Sequence, residues 1–160
     1  MSEKLRVILD CDTANEIDDQ MAIAHALGSD SLDVLAVVSV QNTVASGPHS
    51  IDRYQEEAER VVELCGASHT VKCLRGASHP METMDDAVPS EGLDFIIEAA
   101  KQGPLTILAT GPATNMASLA LLAPEVRQEI NIIWAGGFPD DATWQEKKYG
   151  ELNARADIAS

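Results

Sequence analysis

Apolar residues along this chain switch between short continuous runs and spaced stripes, and each switch predicts a change of element. Val7 to Leu9 is a brief apolar, β-branched run that predicts a strand buried on both faces. Met21 to Leu27 predicts a helix, and Leu32 to Val40 a central strand rich in valine. Gln41 to His49 is a polar loop. A helix from about Ser50 to Cys65 follows, with Ile51, Tyr54, Ala58, Val61, Val62 and Cys65 on one face and Gly66 as its stop. Val71 to Leu74 predicts a short strand. Residues 76–90, with Pro80 and Pro89, show no periodicity, and their length makes them a candidate lid or binding loop. Leu93, Ile96, Ile97 and Ala100 form a helical stripe before Gly103-Pro104. Leu105 to Ala109 and Ile130 to Ala135 predict two more strands, separated by a helix with Met116, Leu119, Ala120 and Ala123 facing inward. Beyond Gly136-Gly137 the pattern is polar and broken.

Strand and helix alternate throughout, which predicts an α/β fold: an open, mostly parallel sheet with helices on both faces. Residues 1–160 are read as a single domain. With the common strand order 3-2-1-4-5, the first and fourth strands lie side by side at the topological switch point. Asp12 and Thr110 would then face each other across the crevice where such folds take ligands.

Charge narrows the partners. The chain has 160 residues, with 11 Lys plus Arg against 26 Asp plus Glu, a formal charge of -15. No basic surface is available to displace counterions from nucleic acid, or to meet an anionic membrane. No run is long enough to span a bilayer, and the first residues lack a signal-peptide core. Three cysteines without CxxC spacing suggest a reduced, cytoplasmic setting.

The chemistry concentrates where the first strand meets the first helix. Asp10 and Asp12 follow the strand at a spacing of two and leave it on the same side. Asp18 and Asp19 open the helix, where acids suit its partial positive charge and Asp18 can serve as N-cap. Four carboxylates in ten residues repel unless a cation or shared protons compensate. Oxygen-only clusters favour a hard divalent cation, Ca²⁺ or Mg²⁺. The plain alternative is a solvated acidic loop. Cys11 lies among these acids, which disfavour its thiolate and argue against a nucleophilic role.

The strand-borne Asp10-Cys11-Asp12-Thr13-Ala14-Asn15-Glu16-Ile17-Asp18-Asp19 is followed by Thr110-Gly111-Pro112-Ala113-Thr114-Asn115 after the fourth strand. Gly136-Gly137 comes after the fifth, then Glu151-Leu152-Asn153 with Asp157. In this order the motifs resemble the inosine-uridine nucleoside hydrolases, in a divergent branch. The resemblance implies Ca²⁺-dependent hydrolysis of the N-glycosidic bond of a ribonucleoside or related N-riboside, with Mg²⁺ the lesser candidate. Asp12 would bind the metal and act as general base toward a metal-bound water. Asp19 and the Thr110 carbonyl would be further metal ligands. Asp18, Asn42, Glu151 and Asn153 would bind the sugar, and Asp10 would support the cluster from behind. Carboxylates also suit the positive charge that develops on the ribose, and single displacement implies inversion at the anomeric carbon.

Three departures qualify the likeness. The loop from Asp12 to Asp18 is longer and lacks Pro-Gly, so Glu16 is a candidate additional ligand. Pro89-Ser90-Glu91-Gly92 stands where the family carries a His-rich stretch. The family is also about twice as long, and its later half supplies another metal-binding Asp and a leaving-group acid. The resemblance therefore implies the N-terminal part of a larger fold, as a fragment, as one piece of a two-chain assembly or self-associated form, or as a truncated relative.

Two other readings remain. A haloacid dehalogenase-like phosphatase would use Asp10 and Asp12 in its first motif, but leaves Asp18-Asp19 without a role and offers only Asp140-Asp141 and Lys101 later on. A Ca²⁺-binding or interaction module without catalysis would keep the cluster alone. Among the remaining residues, His25 and Trp134 are expected in the core, His69 and His79 on surface loops, and His49 near a helix start. Trp144 is a candidate for stacking on a base.

Overall fold

The structure, a computed structural model, describes residues 4–137 and 150–160. Five parallel strands form one sheet: β1 (Leu5–Cys11), β2 (Leu32–Ser39), β3 (Lys72–Arg75), β4 (Leu105–Ala109) and β5 (Ile130–Trp134), in the order β3-β2-β1-β4-β5. The expected order is therefore the observed one. The alternating β1 side chains explain the layering. Leu9 and Cys11 pack with Val37 against α1 (Asp18–Leu27) and α3 (Ser50–Leu64), through Ile23, Ala26, Ala58, Val61 and Val62. Ile8 packs with Val38 and Ile107 on the opposite face, against α4 (Glu91–Ala100) and α5 (Thr114–Leu122), through Leu93, Ile96, Met116 and Leu119.

β1 and β4 are neighbours, with Asp10 level with Ala109. Their hydrogen bonding continues past the strand ends, since the Thr110 amide donates to the Asp10 carbonyl (2.8 Å) and the Val40 amide to that of Cys11 (3.0 Å). The loops that follow β1, β2 and β4 are thereby held at one end of the sheet, where chain direction turns to opposite sides.

Several expectations change. The loop after β2 contains a short helix, α2 (Thr43–Ser46), capped by the Asn42 side chain, which accepts from the Ala45 amide (3.1 Å). Asp18 is the first residue of α1 and not its N-cap; the cap is Ile17, without a side-chain hydrogen bond. Cys65, just past the end of α3, and Ala120, on the outer side of α5 between the buried Leu119 and Ala123, are exposed. His25 is exposed as well, on the outer face of α1. Trp134 is half-buried at the sheet edge and donates its indole N–H to the Gly111 carbonyl (2.9 Å). Trp144, Asp140 and Asp141 lie outside the described residues.

Residues 76–90 are irregular, as expected, but they are fastened at three points, with residues 82–86 exposed between the last two. Ala77, Met81 and Val88 are buried. The Ala77, Met81 and Val88 amides donate to Asn115, Asp157 and Ser118 (2.7, 3.0 and 3.0 Å). Buried amides satisfied in this way make a wall rather than a lid. Among the described residues no helix is long and apolar enough to cross a membrane.

Candidate active site

The end of β1 delivers Asp10, Cys11 and Asp12 into the crevice, and the first turn of α1 brings Asp19 back to meet them. All three carboxylates are buried, at 0%, 2% and 1% exposure for Asp10, Asp12 and Asp19. The Asp12 carboxylate stands close enough to Asp19 to raise its pKa. The Thr110 hydroxyl, at the end of β4, donates to Asp19 Oδ1. Asp12, Asp19 and Thr110 therefore come together at the ends of two neighbouring strands.

Each acid has its own support. Asp12 Oδ2 accepts from Asn42 Nδ2 (2.7 Å) and Asn15 Nδ2 (3.0 Å). Gly111 lets β4 approach: a Cβ there would stand 2.5 Å from Val40 Cγ1 and 3.0 Å from the Asp12 nitrogen. Asp10 Oδ2 accepts from Asn115 Nδ2 (2.7 Å), while Asp10 Oδ1 is buried without a partner among the described residues. Asn115 also donates to the Ser39 carbonyl (3.2 Å) and accepts from Ala77 N, so one amide joins β1, β2, α5 and the wall.

Burial without full compensation moves these groups. Burial raises Asp10 to about 7 against the lowering bond from Asn115, and the charges of Asp12 and Asp19 raise it further. Asp19 is raised to about 7, first by burial and then by Asp12 and Asp18, against the Thr110 hydroxyl. Asp12 is raised by burial and lowered by its bonds to Asn42 and Asn15. Burial, reinforced by the negative charge of Asp19, also drives the Cys11 thiol well upward, so it stays protonated.

The remaining sequence candidates divide. Asp18 is exposed at the mouth of the cluster. Asn42 is buried with its amide committed to Asp12 and its oxygen to α2. Asn153, on α6 (Leu152–Ala156), donates Nδ2 to the Thr110 carbonyl (2.6 Å) and to the Ala135 carbonyl (2.9 Å). Glu151 caps α6, accepting from the Asn153 and Ala154 amides, and also accepts from Gly137 N (all 2.9 Å). Glu16 is exposed and lines a surface cleft of about 580 Å³ with Arg53, Glu57 and Arg60, with no hydrogen bond to the carboxylates among the described residues. Asp157 is buried and structural: it accepts from the Thr114 hydroxyl (2.6 Å) and from Met81 N.

Sequence reasoning passed over Asn15 and Asn115 as working residues, although both lie inside the quoted motifs. Their signal was available only as amides beside buried acids. Among the described residues no group of three or more His, Cys, Asp or Glu side chains is arranged to hold a metal ion by itself. Thr110 meets the carboxylates through its hydroxyl, while its carbonyl accepts from Asn153.

Ala14 is strained. Its φ of 84° makes it the one non-glycine residue with positive φ among those described, in a turn closed by Asn15 N donating to the Asp12 carbonyl (3.0 Å). A Cβ in that region costs about 1–2 kcal/mol, part of which glycine gives back as unfolded-chain entropy. Ala14→Gly is expected to stabilise by about 0.5–1 kcal/mol, read as a higher urea midpoint with unchanged slope.

A family profile described as "Inosine-uridine preferring nucleoside hydrolase" matches residues 7–160. "Pyrimidine-specific ribonucleoside hydrolase RihA" of Shewanella woodyi is 31% identical over 163 residues, covering 86% of this chain and 50% of the relative. The protein of that description from Citrobacter koseri is 28% identical over 165 residues, covering 88% and 50%. The chain thus spans about half the length of the curated relatives it matches. Among solved structures, an "Inosine-Guanosine Nucleoside Hydrolase" has the same fold with a TM-score of 0.73 at 20% identity, covering 97% of this chain and 56% of that one. A "Purine-Preferring Ribonucleoside Hydrolase from Gardnerella vaginalis" gives 0.73 at 24%, covering 96% and 55%. Membership overrides the phosphatase reading of the Asp10-Cys11-Asp12 motif. With its family profile matched from β1 to the last residues of the chain, this protein belongs to the inosine-uridine preferring nucleoside hydrolases.

Proposed function

We propose that this chain carries the ribosyl-binding and water-activating half of an N-riboside hydrolase. The observation that supports it most is the convergence of Asp12, Asp19 and Thr110 at the switch point of a chain from this family. Asp12 serves as the general base, taking a proton from the attacking water. Its Oδ2 is pinned by Asn15 and Asn42, which fixes the direction of the carboxylate before substrate arrives. Asp18, exposed at the mouth, and Asn153 offer groups to ribose hydroxyls, with Glu151 holding the helix that presents Asn153. Asp10 adds negative charge behind the sugar as the glycosidic bond lengthens and positive charge develops.

Calcium fits the residues present. Asp12, Asp19 and the Thr110 carbonyl would be an oxygen-only set suited to a hard cation once Asn153 Nδ2 gives up that carbonyl, and the unpartnered Asp10 Oδ1 marks charge that protein donors leave unbalanced. When bound, the cation would lower the pKa of the attacking water and help orient the sugar hydroxyls. The remaining ligands and a leaving-group acid would come from sequence beyond these residues, or from a second chain or copy. The exposed Ile132 and Ile133 of the edge strand β5 suit such packing. Glu16, set apart in its cleft, is the weakest ligand candidate.

The direct test is release of free base from uridine and inosine with calcium or chelator, using this chain and any longer natural form. Absence of base release from every form ends the catalytic reading, and calcium binding without it leaves a binding module. Release of inorganic phosphate from a phosphate ester instead would revive the phosphatase.

A thermal test reads the cation without turnover. Asp10 and Asp19 have folded-state values near 7, above the ordinary 3.8. The folded state therefore holds protons that the unfolded state releases. The stability they contribute is complete below about pH 4 and is lost as pH rises through about 7. Calcium is expected to offset that loss at pH 8 and to compete poorly with protons at pH 5. A cation at about 100 times its Kd adds about 2.7 kcal/mol, or roughly 5–10 °C in Tm for a chain of this size. Equal Tm with calcium and with chelator at pH 8 would remove the cation.

A further inference from the structure

We propose that Arg53 of α3 is a positioning residue for Asp12, acting through the turn that follows it; this rests on Asp12 being the base. The turn from Asp12 to Asn15 does two jobs. It carries the amide that pins Asp12 Oδ2, and it does so with Ala14 in a left-handed conformation that an alanine resists. The hydrogen bond from Asn15 N to the Asp12 carbonyl closes the turn on one side. On the other side Arg53 Nη2 donates to the Ala14 carbonyl at 2.9 Å, from a helix 39 residues further along.

Other charges around Arg53 are engaged elsewhere. Arg60 gives two hydrogen bonds to Glu57 (2.6 and 2.7 Å), and Arg75 binds Asp52 (2.6 Å). Arg53 is the guanidinium that grips the turn. A charged donor on a main-chain carbonyl is among the stronger single hydrogen bonds, and here it holds the carbonyl of the strained residue itself.

The test compares Arg53→Met, which keeps the apolar stem, with Arg53→Lys, which keeps a donor. In the parent, backbone NMR order parameters at Ala14 and Asn15 are expected near those of β1, about 0.85. Arg53→Met is expected to drop them below about 0.6 and to shift the Asn15 side-chain amide signals. It should weaken calcium binding by about tenfold in calorimetry, with Tm little changed because Arg53 is exposed. Arg53→Lys should retain most of both properties. An ordered turn in Arg53→Met, or a loosened turn with parental calcium affinity, overturns the proposal. If the parent binds no calcium, the cation reading fails by itself, and the Asn15 side-chain amide decides: unmoved signals in Arg53→Met overturn the positioning role.

Discussion

Asp12→Ala is expected to abolish base release in whichever form of the protein is active, and Asp12→Asn to lower kcat by about 10³-fold. The asparagine variant is the sharper of the two. Its amide oxygen can still accept from Asn15 and Asn42, so the turn and α2 keep their anchors. What it lacks is a proton acceptor and a negative charge. Neutralising one member of a buried trio should also relieve repulsion with Asp10 and Asp19, so the calcium-free variant should melt at or above the parent temperature. Lost turnover in a protein of undiminished stability is the signature of a chemical role. A variant with parental turnover, measured by chromatography of the released base, removes Asp12 as the base.

The second large effect falls on stability. Asn115→Leu keeps side-chain volume but deletes one acceptor and two donated hydrogen bonds inside the sheet. Asp10 Oδ2, the Ser39 carbonyl and Ala77 N all lose their partner, at fully buried positions. Stranding a buried acid together with two main-chain groups costs about 3–5 kcal/mol. For a chain of this length that corresponds to a Tm lower by about 10 °C or more. The loss should be larger at pH 8 than at pH 5, because the acid left without its donor is easier to keep when protonated. A change under about 1 kcal/mol in urea titration would mean that the wall and β2 do not depend on this amide.

The two predictions differ in how visible their residues were. Asp12 stands out in the sequence: it follows a buried apolar run, pairs with Asp10 at a spacing of two, and precedes a helix that opens with acids. Asn115 was visible only as the last letter of a motif. Its partner Asp10 is 105 residues away, and no local spacing encodes a hydrogen bond across that separation. Arg53 is similar, an ordinary basic residue on an amphipathic helix until its 39-residue reach to Ala14 is seen. Asn42 and Glu151 were legible as polar residues near the site, but their roles as helix caps depend on where α2 and α6 begin.

Periodicity is a local property, and it was sufficient for the alternation of strands and helices, the faces of α3 and α4, and the strand end that carries the acids. Burial is decided by neighbours, so His25, Cys65 and Ala120 lay outside the core although their spacing placed them within it. Strand order is likewise a matter of which helix layers pack together. Only the placement of β4 beside β1 brings Thr110 to Asp19 and lets Gly111 pass close to Asp12. The residue types available for chemistry were written in the chain; their convergence in one crevice came from long-range packing, because hydrophobic burial is non-directional and the hydrogen bonds that aim the acids form only after the layers have closed.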